Sequence, residues 1–446
     1  MKDHRLGLFS GMGMVIANMI GAGVFLSTGF MAQDLTPKQI LLAWAVGAFL
    51  ALAGARAYAG IAQIVPSSGG EYRYLSALVH PAPGYLAGWA SLLLGFSAPI
   101  AIDAIAAGAF ANTLAHWIDP KVFAAMLIVL LTGVHAIGLR FSVNAQNALV
   151  VVKVVLVVGF MAVGLAGGHN TWPAWQPPNP SSSFPLGPFM QNLFYIAFAF
   201  SGWNAAVYAA SEFRNPKRDV PLAMVLGCGL VGVLYLGVNW VFVANLTPEQ
   251  CKVVFTYETA RVTLGHLIMK NVVGEFGAAC MSILAIIAFI SAMSAMTFLG
   301  PRVYAAMSKD GFLPRILQGK EGKPPIGAVI LQGTIALFLV LAYQLGEVLN
   351  NVGAILTLFS AMTVFSLFWI RFRKRNRIKP APASLAAAMF YLLLSGVMLY
   401  FGFKQSPTLN LWVGASILTA LIGYYATRKR AEVQNGRVPV QEELTN

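Results

Sequence analysis

Long apolar runs recur along this chain with short polar interruptions between them. Each run holds about 20 predominantly apolar residues, the length a helix needs to cross a bilayer. Twelve such spans are read, near residues 6–31, 38–64, 82–112, 121–139, 145–167, 190–213, 220–245, 272–301, 326–344, 348–371, 384–403 and 410–427. This predicts an all-α polytopic membrane protein with 12 transmembrane helices. Two spans carry a break at mid-depth. The first, around Ala17 to Gly29, has Gly21-Ala22-Gly23 at its centre, and the sixth has Ser201-Gly202 followed by Trp203 and Asn204.

Glycine costs about 1 kcal/mol relative to alanine inside a helix, so Gly21 and Gly23 mark an easy place to break one. A break frees backbone N–H and C=O groups, which are tolerated at membrane depth only where protein or a polar cavity satisfies them. The N–H groups that open the second half-helix attract an anion such as a carboxylate. The same glycines are also read as a surface for close helix packing. The second break tips the balance, because interruptions at matching places in two halves of a transporter point to its binding site. Spans one to five and six to ten are then inverted repeats, 1–167 and 168–371, with spans eleven and twelve and a short tail in 372–446.

Composition agrees with this reading: 58% of the 446 residues are hydrophobic, 10% are charged, and the mean hydropathy is +0.70. The first run is too long for the core of a cleavable signal peptide and lacks a convincing cleavage site, so it is read as a span. Cys228, Cys251 and Cys280 provide neither a disulfide framework nor metal-ligand spacing, and no metal or cofactor is expected. The 30 Lys and Arg exceed the 16 Asp and Glu, yet their distribution speaks for topology rather than nucleic acid. Of those 30, 23 fall on the side of the termini and 6 on the other, with Lys153 inside a span. The positive-inside rule puts both termini in the cytoplasm, and the basic runs at 371–379 and 428–430 need no partner beyond that rule and anionic membrane lipid.

Two charges lie inside spans. Asp103 in the third is a functional candidate, as a proton or cation site, or a hydrogen-bonded acid of the bundle; it is placed in the outer half. Lys153 sits among valines in the fifth span, either snorkelling to the interface or buried against oxygen-rich partners, and burial is favoured. Pro216 and Pro221 are expected to stop the helix before span seven, and short helices are expected within 246–271.

Five stretches together resemble the amino acid–polyamine–organocation (APC) transporters, the L-type branch in particular: Ile20 to Phe25, Pro66 to Tyr72, Phe198 to Asn204, Glu212 to Pro216 and Asp310 to Pro314. The resemblance implies the LeuT-type fold of two inverted five-helix repeats with broken helices 1 and 6, and transport of L-amino acids by alternating access. It places the substrate carboxylate on Gly21, Ala22 and Gly23. The α-ammonium falls to carbonyls near Phe198, Ala199 and Ser201, with Ile16 and Ala17 as further acceptors. Phe198 matches the family's gating aromatic, Trp203 crowds the pocket and Asn204 adds a polar contact. In sodium-dependent relatives of this fold a sodium ion bridges spans one and eight. Here Lys153 is expected to replace it, donating to carbonyls near Gly21 or to Ser291 and Ser294.

The resemblance has two gaps. Relatives commonly carry Tyr-Ala-Glu-Leu where this chain has Tyr58-Ala59-Gly60-Ile61, so an inner carboxylate is missing. Eukaryotic relatives join a single-span glycoprotein through a cysteine between spans three and four; the segment 113–121 has none, and no disulfide-linked subunit is expected. The expectation is a sodium-independent exchanger or facilitator in the inner (plasma) membrane. No acidic side chain is read beside either break, so neutral substrates are preferred, small ones (Ala, Ser, Thr, Cys) in particular. A proton-coupled symporter, a cationic amino-acid or polyamine antiporter, and a sensor or channel on the same scaffold are the alternatives. No catalytic cluster or nucleotide motif supports an enzyme.

Overall fold

The computed structural model describes residues 6–137, 143–168, 172–180, 182–319, 325–342, 345–373 and 379–435. The terminal residues 1–5 and 436–446, and the centre of the basic run at 371–379, lie outside the described residues. The chain is an all-α polytopic membrane protein. Nine helical stretches among the described residues are long and apolar enough to cross a membrane, and Pro120–Ala136 and Ile326–Ala342 are shorter apolar helices.

The first span is two helices, α1 (Leu8–Met19) and α2 (Ala22–Met31), separated at Ile20 and Gly21. Helix α3 (Pro37–Ile64) starts at a capping box, Thr36 with Gln39. A short helix α4 (Gly70–Leu78) follows, then the third span. That span runs through α5 (Pro81–Ala90), a π-helical stretch at Ser91–Phe96, and α6 (Ser97–Leu114). Helices α7 (Pro120–Ala136) and α8 (Val143–Gly167) follow.

The sixth span is likewise divided. Helix α9 (Leu186–Ala199) gives way to turns at 200–204 and then to a 3-10 helix at Ala205–Glu212. Helix α10 (Pro216–Asn245) corrects the expectation of a double proline stop. Pro216 is its first residue, where a missing N–H costs nothing, and Pro221 lies inside it. Short helices α11 (Pro248–Thr256), α12 (Glu258–Val262) and α13 (Leu264–Val273) occupy the long loop as expected. The chain ends through α14 (Glu275–Lys309), α15 (Ile326–Ala342), α16 (Leu345–Arg373), α17 (Pro382–Gln405) and α18 (Pro407–Asn435).

The outer face is apolar, unlike that of a water-soluble protein, and charged groups are found inside. On α8, Val151 and Val155 are 61% and 62% exposed, while Lys153 between them is 1% exposed. An apolar outer face suits lipid, and the polar groups gather inside, where partners satisfy them. Stretches that carry the family resemblance are tied to each other and to distant parts of the chain. Tyr72 donates to Asp310 at 2.6 Å, Arg302 Nε donates to Glu212 at 2.7 Å, and Leu6 pairs with Phe213 in an isolated parallel β-bridge. Gly60 faces Ser384, which accepts a 2.6 Å bond from Arg56.

Candidate functional site

The two breaks lie against each other in a crossed arrangement. A Cβ added at Gly23 would strike the backbone of Ala199, so the start of α2 is pressed on the end of α9. Gly202 has φ +100°, in the left-handed region that glycine enters at little cost, and a Cβ there would come within 2.7 Å of Asn18 Cβ. The end of α1 is thus pressed on the turn that follows α9. Small residues at both breaks let backbones touch, so the packing reading of these glycines holds alongside the broken-helix reading.

Charged side chains close the first break. The Lys153 ammonium donates to Ile20 O at 2.8 Å and to Ala17 O at 3.2 Å, filling carbonyls at the C-terminal end of α1. Across the gap, Asp103 Oδ1 accepts from the Ala22 N–H, the first donor of α2, at 2.6 Å. Asp103 is 1% exposed and lies beside the break. Of the two partner sets expected for Lys153, the carbonyls are the ones used. Ser294 pairs with His135 at 3.0 Å, and the buried Ser291 hydroxyl has no hydrogen-bond partner.

Four of the five carbonyls assigned to the substrate ammonium, all but that of Ser201, are seen engaged. Ile16 O accepts from Ile20 N at 3.0 Å, Phe198 O from Ser201 N at 2.8 Å, and Ala17 O from Lys153. Tyr235 of α10 reaches both breaks: its hydroxyl lies within hydrogen-bond range of Met19 O and, at 3.0 Å, of Ala199 O. Of the carboxylate-binding trio, the Gly21 N–H donates back to Met19 O at 2.9 Å and Ala22 is held by Asp103. Gly23 belongs to the first turn of α2, whose amides have no intrahelical acceptor.

A cavity adjoins the second break. Ser201, Gly202, Trp203 and Asn204 line it, with Asn18 of α1, Phe96 of the π-helical stretch, Phe200, and Glu71 of α4. Phe198 is absent from this wall and packs toward Gly353 of α16. Two residues on is about 200° around a helix, so Phe200 takes the place in the wall expected of Phe198. Gly21, Ala22 and Gly23 do not line this cavity.

Glu71 corrects a premise of the sequence reading, that no acid lies beside either break. Its carboxylate accepts from Tyr58 at 2.8 Å, Asn204 at 3.1 Å, Tyr208 at 3.2 Å and Ser360 at 3.4 Å. Burial raises the Glu71 carboxyl above its ordinary value, and these four hydrogen bonds offset only part of that rise. Asp103 is the second acid, at the first break.

Three side chains were missed as site residues: Tyr235, Glu71 and Phe200. A tyrosine among apolar residues of span seven gives no period or motif to mark it. Glu71 reads as a loop residue after Gly69-Gly70. Phe200 is one of three phenylalanines close together, and only the helix phase separates it from Phe198.

A bundle with two paired helix breaks, internal charges on the freed backbone and a polar cavity beside them defines a membrane transporter. The chain belongs to the amino acid permease family of the APC superfamily, whose profile matches residues 6–426. It is similar to the b(0,+)-type amino acid transporter 1 of Mus musculus, 26% identical over 436 residues, covering 95% of this chain and 88% of that protein. It is also similar to the large neutral amino acids transporter small subunit 2 of Homo sapiens, 24% identical over 441 residues, covering 94% and 79%. The protein is an amino acid transporter, not an enzyme.

Proposed function

We propose that the protein carries L-amino acids without sodium, by alternating-access exchange or facilitated transport, with twelve spans and two inverted repeats, 1–167 and 168–371. The substrate carboxylate binds the first turn of α2 at Ala22 and Gly23, and the ammonium binds near Ser201 and the end of α9. Gly23 and Ala199 must part to admit it, so the packed contact between them belongs to a state closed at that point. The observation that carries this reading is the Lys153 ammonium on Ala17 O and Ile20 O. A fixed cation there satisfies the carbonyls that a sodium ion would otherwise need to coordinate, and a second cation a few ångströms away would be repelled.

Small neutral amino acids (Ala, Ser, Thr, Cys) are favoured on a ground different from the absence of acids. Glu71 already accepts four hydrogen bonds, and Phe96, Phe200 and Trp203 narrow the cavity. Both termini lie in the cytoplasm and the membrane is the cell's inner (plasma) membrane, on the charge distribution. The segment 113–121 holds no cysteine, and the protein works without a disulfide-linked subunit. A second reading, proton symport, is favoured by the buried Asp103 Oδ2, which has no hydrogen-bond partner. Counterflow in proteoliposomes with a panel of labelled amino acids tests both. Alanine and serine should exchange equally in sodium and choline. Several-fold stimulation by sodium overturns the first reading, and accumulation driven by an inward proton gradient alone selects the second.

A further inference from the structure

The N-terminal end of α2 favours an anion, because its first amides have no intrahelical acceptor and carry the positive end of the helix dipole. The protein itself supplies one. Asp103 Oδ1 accepts from Ala22 N at 2.6 Å, while Oδ2 is buried without a partner. A Cβ on Gly21 would come within 2.9 and 3.1 Å of the two carboxylate oxygens, so the bare glycine is what lets this carboxylate lie over the break. Lys153 holds the opposite side of the same gap through Ile20 O. A carboxylate is therefore already seated where a transported amino acid would place its own.

We propose that Asp103 is a tethered competitor for the substrate carboxylate. This rests on the reading that the amino acid binds at the first turn of α2. The Ala22 N–H···Oδ1 bond breaks as an Ala22 N–H···carboxylate bond to the substrate forms, one hydrogen bond for one, and the freed Asp103 carboxylate turns toward the Lys153 ammonium on the opposite side of the same gap. Two carboxylates cannot share that donor in a low-dielectric setting, because their charges repel. The competitor does two things. It keeps the amide satisfied in the unloaded carrier, where an unpaired N–H at membrane depth would be costly. It also makes the substrate displace a charge that only another carboxylate replaces well, which makes Asp103 a specificity-determining residue.

The test uses the full-length protein in proteoliposomes, with Asp103→Asn and Asp103→Ala beside the unmodified chain. Equilibrium binding is measured for L-alanine and for L-alaninol, which has no carboxylate, together with the KM and maximal rate of alanine exchange. Asp103→Ala should tighten alanine binding about fivefold or more and lower KM, yet slow turnover, because the unloaded break loses its cap. Asp103→Asn should tighten binding by less, since its amide oxygen still accepts from Ala22 but does not repel. Alaninol affinity should change less than twofold; if alaninol binds too weakly to measure in all three, alanine alone decides. Unchanged or weaker alanine binding in both variants, with unaltered size-exclusion profiles, overturns the proposal. If Asp103→Ala does not fold, Asp103→Asn carries the test. If the unmodified protein binds no amino acid, the site reading itself fails, which is a different result from unaltered affinity in the variants.

Discussion

The first and sixth spans break for the same reason, a small flexible residue at mid-span, but the freed backbone is satisfied in opposite ways. At Ile20-Gly21 a buried ammonium and a buried carboxylate take the two ends, Lys153 on the carbonyls and Asp103 on the amide. At Ser201-Gly202 the backbone turns back on itself: Ser201 N donates to Phe198 O at 2.8 Å and Ala205 N to Gly202 O at 2.9 Å. The groups around it, Asn204, Tyr208 and Ser360, are neutral and converge on Glu71. Hydrogen bonds to charged groups are worth roughly twice those between neutral ones, and at the second break the charge of Glu71 is met by side chains while the freed backbone has neutral partners, so the backbone of the first break is firmly held and that of the second compliant. The cavity lies beside the compliant break. A carrier that must rearrange without losing its fold would be expected to move at the second break and hold at the first.

That contrast can be broken most severely at Gly23. Gly23→Val puts a branched side chain into the backbone of Ala199 and should reduce alanine uptake to roughly a twentieth or less, with surface expression retained. Uptake near the unmodified level would show that the breaks need not approach each other. Next comes the charged anchor. Lys153→Ala removes two charge-assisted bonds, each worth about 1.5–3 kcal/mol, and should lower initial uptake about tenfold or more. It should also lower the unfolding temperature, read by fluorescence melting in detergent.

The second break should respond more mildly. Glu71→Gln keeps the shape but places an amide nitrogen among donors, so uptake should fall about three- to tenfold. A loss larger than that of Lys153→Ala would reverse the ranking of the two breaks. Tyr235→Phe deletes one hydroxyl shared by the two helix ends and should cost about 1 kcal/mol, or roughly fivefold in transport. The smallest effect expected is none: replacing sodium by choline at fixed pH should leave the initial rate of the unmodified chain unaltered within about twofold.

Much of this arrangement is legible in the sequence. Gly21, Gly23 and Ser201-Gly202 announce their breaks because glycine and serine interrupt otherwise apolar helices, and the charge of Lys153 makes burial against carbonyls the economical solution. What stayed hidden depends on which faces of distant helices meet. That Asp103 reaches Ala22, 81 positions away, follows from the phase of α6 against α2, and no local pattern encodes it. Glu71 looked like part of a turn because its four partners come from three other segments. The choice of Phe200 over Phe198 turns on a rotation smaller than the uncertainty in where a helix ends.

The π-helical stretch at Ser91–Phe96 gives the third span an arithmetic of its own. A π-turn closes hydrogen bonds one residue later than an α-turn, so it stores an extra residue without lengthening the connection. Each residue of an α-helix advances the side chains by about 100°. Excising one position there, Gly95 for instance, would let the span wind as a regular helix while the parts on either side kept their faces, so Tyr85, Trp89 and residue 103 would stay with their neighbours. Excising one position from α6 ahead of residue 103 would instead turn it by that angle, its chemistry intact and its address lost. The spelling of the span therefore includes a count as well as an alphabet: one surplus letter is absorbed at the bulge, and a letter lost beyond it is not.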